Sequence, residues 1–332
     1  MNHVVEQNSK LQNLRVYVTG ATGIVGGFVV EELLKRGAHV IILVRDQVKN
    51  SYLETAKLDQ RCTIVRGELE NFNLQLRIMN EYQINGVIHL AAQTQVRVAL
   101  EHPLSTLQAN IVGTWNILEA IRQCSKYLKF CIIASSDKAY GEALTKQYDE
   151  SHPLNAVYPY DVSKACADMI ASSYAKVYNL PIGITRCGNF FGPGDLNWDR
   201  LIPHVVQQYM NNSAPLLRSN GDHVRDYFFV KDGALAYIFL AEKFLESGLT
   251  YKGESYNFSY GEQYSVTEVV QTIAKKMGKE HIKAIFENSA TNEIIHQSLN
   301  SAKARQLGWL PHYSFEEGLE QTISWYQSKL NS

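Results

Sequence analysis

The sequence predicts an α/β fold: a doubly wound parallel sheet in the first half of the chain, followed by a smaller C-terminal domain. Three observations predict it. Short Val- and Ile-rich runs alternate with helical patterns from Leu14 onward. These runs are nearly continuous rather than alternating, as expected of strands covered by helices on both faces. The regularity stops after Cys187, where Gly- and Pro-rich segments begin.

The elements follow in order. "LRVYVT" reads as a strand, "GIVGGFVVEELLKRG" as a helix, "AHVIILV" and "CTIVRG" as the next strands, "LQLRIMNEY" as a helix and "GVIHLA" as a strand. A long helix is expected near residues 104–123, then the strand "LKFCIIAS", a second long helix near 160–178, and the strand "IGITR" at 182–186. Six or seven parallel strands are thereby accounted for. After "GNFFGPGDLNWDRLIP", the segments "SVTEVVQTIAKKMG" and "SFEEGLEQTISWYQSKL" carry apolar residues at helical spacing.

Composition narrows the classes. With 332 residues, 45% of them hydrophobic, there is enough chain for one large domain or two smaller ones. Lys and Arg total 32 against 33 acids, so no net field draws the protein onto nucleic acid or an anionic membrane. An anionic ligand must be held by local groups. Cys62, Cys124, Cys131, Cys166 and Cys187 form no CxxC pair and read as free thiols in a reducing compartment. Residues 1–13 are polar without an apolar leader core, and no apolar run has spanning length, so a cytoplasmic protein is expected. No acidic, His and Cys cluster has metal-ligand spacing and no GxSxG is present, which disfavours metal catalysis and hydrolysis.

"TGATGIVGG" places Gly20, Gly23 and Gly26 directly between a strand and a helix. Such a turn lets backbone N–H groups and the positive helix end approach a pyrophosphate, and a small third residue lets helix and strand pack closely. A nicotinamide dinucleotide is therefore expected. "LVRD" ends the second strand: Arg45 suits the 2′-phosphate of NADP, Asp46 the ribose hydroxyls of NAD, and both readings stay open.

"YPYDVSK" sets Tyr160 and Lys164 four residues apart, on one helical face. A nearby ammonium lowers a phenol's pKa, so the phenolate can take a proton from an alcohol while hydride leaves its carbon. The preceding strand ends in Ser135 and Ser136, which offer a hydroxyl to the same oxygen. "SSDKAYG" then puts Asp137 beside Lys138 at the strand end. Neighbours on a strand point to opposite faces, so the spacing alone also reads as an exposed ion pair.

Taken with "HLAAQ", "NIVGTWNILEA", "RCGNFFGPGD" and "VRDYFFVKD", these motifs resemble the extended short-chain dehydrogenase/reductases that act on nucleotide sugars, over nearly the whole chain. Within that family "SSDKAYG", "AAQTQVR" and "GDLNWDRLIP" are most similar to the CDP-glucose 4,6-dehydratase type, in which Lys follows the acid. The resemblance implies a Rossmann-like dinucleotide-binding domain over residues 1–187, completed by parts of 223–260, and a mainly sugar-nucleotide-binding domain over 188–332. It implies a tightly held NAD or NADP, regenerated each turnover and bound through Gly20, Thr22, Gly23, Ile24, Arg45, Glu68, Leu69, Leu90, Ala91, Ala92, Gln93, Tyr160 and Lys164. Ser136, Asp137, Lys138, Tyr160 and Lys164 would be catalytic.

In the implied chemistry, oxidation at C4 acidifies the C5 proton, loss of that proton and of the C6 hydroxyl expels water, and hydride returns to C6. Asp137 would donate to the leaving oxygen; Lys138 would remove the C5 proton as an amine or stabilise the enolate as an ammonium. Gln93, Arg97, Asn189, Arg200, Leu201, Arg218 and Arg225 would hold the nucleotide sugar, although each arginine also reads as an ordinary surface residue. Two departures from the CDP-glucose type bear on the base: a shorter segment after the active-site strand, and Arg225-Asp226-Tyr227 in place of Arg-Pro-Trp. A homodimer through the two long helices is implied as well. A 4-epimerase would need Ser136, Tyr160 and Lys164 but not Asp137 with Lys138, and a non-catalytic nucleotide-sugar binder would need none of them.

Overall fold

The computed structural model describes residues 9–142, 147–289 and 294–330; the first eight residues of the polar N-terminal stretch lie outside them. A seven-stranded sheet organises the chain. Its strands β1 (Arg15–Thr19), β2 (His39–Val44), β3 (Thr63–Arg66), β4 (Gly86–His89), β5 (Phe130–Ala134) and β6 (Ile182–Cys187) are joined by Ser255–Phe258 at one edge. The order is Ser255–Phe258, β6, β5, β4, β1, β2, β3, and every pairing is parallel.

Both faces of the inner strands are buried, and alternate residues of one strand go to different cores, whereas the edge strand β3 buries only Val65. Val16 and Val18 pack with Val30, Ile42, Ile88 and Ile132 on one side. Tyr17 packs with Ile41, Val87, Ile117 and Ile121 on the other. That is why the strand runs are continuously apolar. Tyr17 keeps its hydroxyl satisfied by donating to Gln75 Oε1 at 2.7 Å.

The site follows from the topology. From β1 the chain proceeds outward through β2 and β3, then returns to β4 on the other side of β1. Connections diverge above the carboxyl ends of β1 and β4, and ligands bind parallel sheets in the crevice so formed.

Three features differ in detail from the periodicity. The helix expected over 104–123 is Pro103–Leu107 and Gly113–Gln123 joined by a π-turn at Gln108–Val112. Asp137–Tyr140 is a 3₁₀ turn rather than a strand continuation. The edge strand Ser255–Phe258 comes from the second half, and the helix Val230–Ser247 packs against Gly26–Lys35. Among the described residues no helix is long and apolar enough to cross a membrane.

Candidate active site

A cleft of about 730 Å³ opens at the crevice, within the size range of small-molecule sites. The glycine turn forms one wall. Gly20 has φ +74°, and a Cβ there would lie 2.7 Å from the Ala91 nitrogen; a Cβ on Gly26 would lie 2.0 Å from the Gly20 oxygen. No side chain fits either place, so the helix Gly26–Lys35 starts tight against β1. Gly20, Thr22, Gly23 and Ile24 line the cleft with Arg45, Leu69, Leu90, Ala91, Ala92 and Gln93. This cradle of backbone and small residues at a helix start fits a dinucleotide pyrophosphate.

Glu68 is the exception on this side. Its exposed side chain stays outside the cleft while Gly67, Leu69 and Glu70 line it. Arg45 donates from Nε to Asp46 Oδ2 at 2.6 Å, with both side chains two-thirds exposed.

His89 is a core histidine. Its Nδ1 meets Thr19 Oγ1 at 2.7 Å and its Nε2 meets Thr114 Oγ1 at 3.1 Å, and burial holds its pKa down at about 3. A neutral ring therefore ties the ends of β1 and β4 to the helix Gly113–Gln123. Asn110, on the π-turn, does similar work nearer the chemistry: its side chain accepts from the Gln93 N–H at 2.7 Å and donates to Gln93 O at 3.0 Å and Ser163 Oγ at 2.8 Å. Ser163 in turn donates to Tyr160 O at 2.6 Å. Sequence reasoning gave Asn110 no role, although it opens the segment "NIVGTWNILEA" that helped carry the resemblance.

Ser136, Asp137, Lys138, Tyr160 and Lys164 all line the cleft. The 3₁₀ turn brings Asp137 and Lys138 to one side, because Ser136 Oγ caps it by accepting from the Lys138 N–H at 3.2 Å. Strand alternation therefore does not separate them. Ser136 also donates to Asp137 Oδ1 at 2.9 Å, while Asp137 Oδ2 is buried without a partner. Burial raises the Asp137 pKa against the lowering pull of Lys138, the Ser136 hydrogen bond and Arg225.

The helix Pro159–Val177 carries the other two groups. Burial pushes the Tyr160 phenol up to about 12, and the Asp137 charge adds to that while Arg200 and Ser136 oppose it. Burial lowers the Lys164 ammonium to about 8, and its Nζ donates to Ala134 O at 2.5 Å. Asp161, which the sequence reading passed over, is 2% exposed, lines the cleft and has Oδ1 without a partner. Burial raises its pKa to about 6, with Lys138 pulling down and Asp137 pushing up.

Asn189, Arg97, Arg200, Arg218 and Arg225 line the far side. Arg97 is mostly exposed and 3.9 Å from Glu101, so it is a helix-face charge that also borders the cleft. Arg200 reaches Asp195 Oδ2 at 3.3 Å, and Arg225 donates to the carbonyls of Val224 and Ile295 at 2.9 and 3.1 Å. Leu201 is not brought to the cleft; as the first residue of the helix Leu201–Met210 it turns its side chain onto the core.

A doubly wound parallel sheet with a glycine turn, and with Ser, Tyr and Lys converging on one cleft, defines the class of extended short-chain dehydrogenase/reductases. The family described as GDP-mannose 4,6 dehydratase matches residues 17–322, and the chain belongs to it. CDP-glucose 4,6-dehydratase of Salmonella typhimurium is 29% identical over 333 residues, covering 96% of this chain and 91% of the relative. A Methanocaldococcus jannaschii protein provisionally assigned as a UDP-glucose 4-epimerase is 28% identical over 318 residues, covering 94% and 98%. The crystal structure of Bacillus anthracis dTDP-glucose 4,6-dehydratase in complex with NAD superposes with a TM-score of 0.84 at 27% identity, covering 96% of this chain and 98% of that one. The chain is a nucleotide-sugar-modifying enzyme of this 4,6-dehydratase and 4-epimerase family, which uses tightly bound NAD(P).

Proposed function

We propose that the protein is a nucleotide-sugar 4,6-dehydratase acting on CDP-glucose, forming CDP-4-keto-6-deoxyglucose with loss of water. The observation that carries this reading is the 3₁₀ turn that sets Asp137 and Lys138 together in the cleft beside Ser136 and Tyr160. Elimination needs an acid and a compensating charge there, whereas epimerisation at C4 has no use for either. The likeness to the Salmonella enzyme and the Lys after the acid support CDP-glucose as substrate.

When bound, the nicotinamide supplies the hydride acceptor for C4 and the donor for C6. The residues do the rest. Ser136 and Tyr160 orient the C4 hydroxyl, and Tyr160 accepts its proton. The four-residue spacing predicts that the Lys164 ammonium lowers this phenol, but burial raises it and the groups that pull it down are Arg200 and Ser136, while Lys164 is turned to Ala134 O. Asp137, its pKa raised by burial, holds the proton that the leaving C6 oxygen needs. Arg218, Arg225 and Asn189 border the space for the diphosphate.

NAD is the favoured dinucleotide. Arg45 is already engaged by Asp46, and Glu68 and Glu70 add negative charge around it, which opposes a 2′-phosphate. We read the assembly as a homodimer through the two long helices, whose surfaces expose Leu104, Trp115, Met169 and Val177. A sedimentation mass of one chain would overturn that.

The deciding test is mass spectrometry of CDP-glucose, dTDP-glucose, UDP-glucose and GDP-mannose, each incubated with the protein and either dinucleotide. Loss of one water from CDP-glucose alone is expected. An isomer of equal mass would transfer the protein to the 4-epimerases, and binding without turnover would make it a nucleotide-sugar binder.

A further inference from the structure

The dehydratase reading leaves the owner of one step open, since Lys138 would take the C5 proton only as a neutral amine. Removing the C5 proton needs a group with a free lone pair, and a lysine ammonium has none. The Lys138 charge already acts on two carboxyls, those of Asp137 and Asp161. Asp137 is occupied as the proton donor to the C6 oxygen.

Among the described residues, the acids lining the cleft are Asp46, Glu70, Asp137, Asp161 and Asp199. Asp46 is held by Arg45 at the dinucleotide end, Glu70 borders the same end after β3, and Asp199 is exposed. Asp137 and Asp161 both combine proximity to Lys138 and Tyr160 with a buried oxygen that has no partner among the described residues, and with Asp137 engaged at the C6 oxygen, Asp161 is the one that remains. A buried, unpartnered carboxylate oxygen costs stability and is retained where it has a task. It sits one residue beyond Tyr160, on the helix that packs against the 3₁₀ turn bearing Lys138.

We propose that Asp161 is the base that takes the C5 proton, with Lys138 as the cation that stabilises the resulting enolate. This rests on the dehydratase reading and completes it. The C5–H electron pair becomes the C4–C5 double bond of the enolate, and the proton goes to Asp161. As the C4 carbonyl re-forms, the enolate pair makes the C5–C6 double bond and the C6–O bond breaks, with the Asp137 proton leaving on the oxygen as water. The hydride taken from C4 returns to C6, Asp161 gives its proton back to C5, and the proton that Tyr160 took from the C4 hydroxyl restores Asp137. Water is the only net loss.

The test is single turnover of CDP-glucose in D₂O by the dinucleotide-loaded protein, for the wild type, Asp161→Asn, Asp161→Glu and Asp137→Asn. Three quantities are read: the absorbance of reduced nicotinamide, deuterium at C5 of the recovered sugar nucleotide, and water loss. Asp161→Asn should keep cofactor reduction while C5 deuteration and water loss both fall about 100-fold, and Asp161→Glu should restore part of each. Asp137→Asn should take up C5 deuterium yet lose no water. C5 deuteration at the wild-type rate in Asp161→Asn would overturn the assignment, and so would loss of cofactor reduction together with elimination, the mark of a merely structural residue. A wild type that reduces its cofactor on the sugar nucleotide but releases no water would bring down the dehydratase reading itself.

Discussion

The two halves of the cleft are built on opposite plans. The dinucleotide half is made of strand ends and small residues: Gly20, Gly23, Ala91 and Ala92 present backbone, and the shape is set by a φ and by contacts that admit no Cβ. The half we assign to the sugar nucleotide is made of charge: Asp137, Lys138, Asp161, Arg200, Arg218 and Arg225 converge from a 3₁₀ turn, a helix and several loops. One half recognises by close approach and tolerates no added atom. The other works by balancing carboxyls against cations, so its residues are sensitive to which neighbour is charged.

This contrast can be broken at its strongest point first. Tyr160→Phe should reduce turnover by about 10³-fold while leaving the content of bound dinucleotide unchanged, as single-turnover reduction and extracted nucleotide would show. Equal loss of both would erase the division between the halves. Arg218→Ala probes the charged half without touching the fold, since the side chain is exposed. Loss of a charge-assisted hydrogen bond of about 1.5–3 kcal/mol should raise KM some ten- to a hundredfold (order of magnitude) with kcat and thermal midpoint unchanged. Gly20→Ala attacks the other half. The forced φ and the contact with Ala91 should cost about 1–3 kcal/mol, lowering the thermal midpoint and emptying the protein of dinucleotide.

The smallest effect sharpens what the charged half costs. Asp226, fully buried beside Arg225, has its pKa raised to about 7, by burial first and also by the Asp137 charge. A carboxyl with a folded pKa above its unfolded value is stabilised in its protonated form, so stability rises as pH falls through the folded pKa. Between pH about 8 and about 6 the gain should be about 1 kcal/mol, read as a rise of the thermal midpoint. Asp226→Asn should flatten it. A midpoint that instead falls over that interval would mean Asp226 is ionised in the fold.

Much of this was legible beforehand where chemistry is set by local spacing. Gly20, Gly23 and Gly26 between a strand and a helix, and Tyr160 with Lys164 one helical turn apart, need only the geometry of their own elements to be read. The strands of the sheet were legible for a similar reason, since burial on both faces writes itself as an unbroken apolar run. Ser255–Phe258 was harder, because "SYNF" is short and mixes polar with aromatic residues, and only pairing with β6 makes it a strand.

What the sequence by itself determined is therefore the fold class, the glycine cradle and the Tyr-Lys pair, each dictated by residues a turn or less apart. Tertiary structure alone decided that Asp137 and Lys138 face one cleft, that Asp161 joins them, that Asn110 braces Gln93 against Ser163, and that Leu201 and Glu68 stand aside. Burial and the charge of neighbours from distant segments govern those outcomes, and no local spacing encodes them.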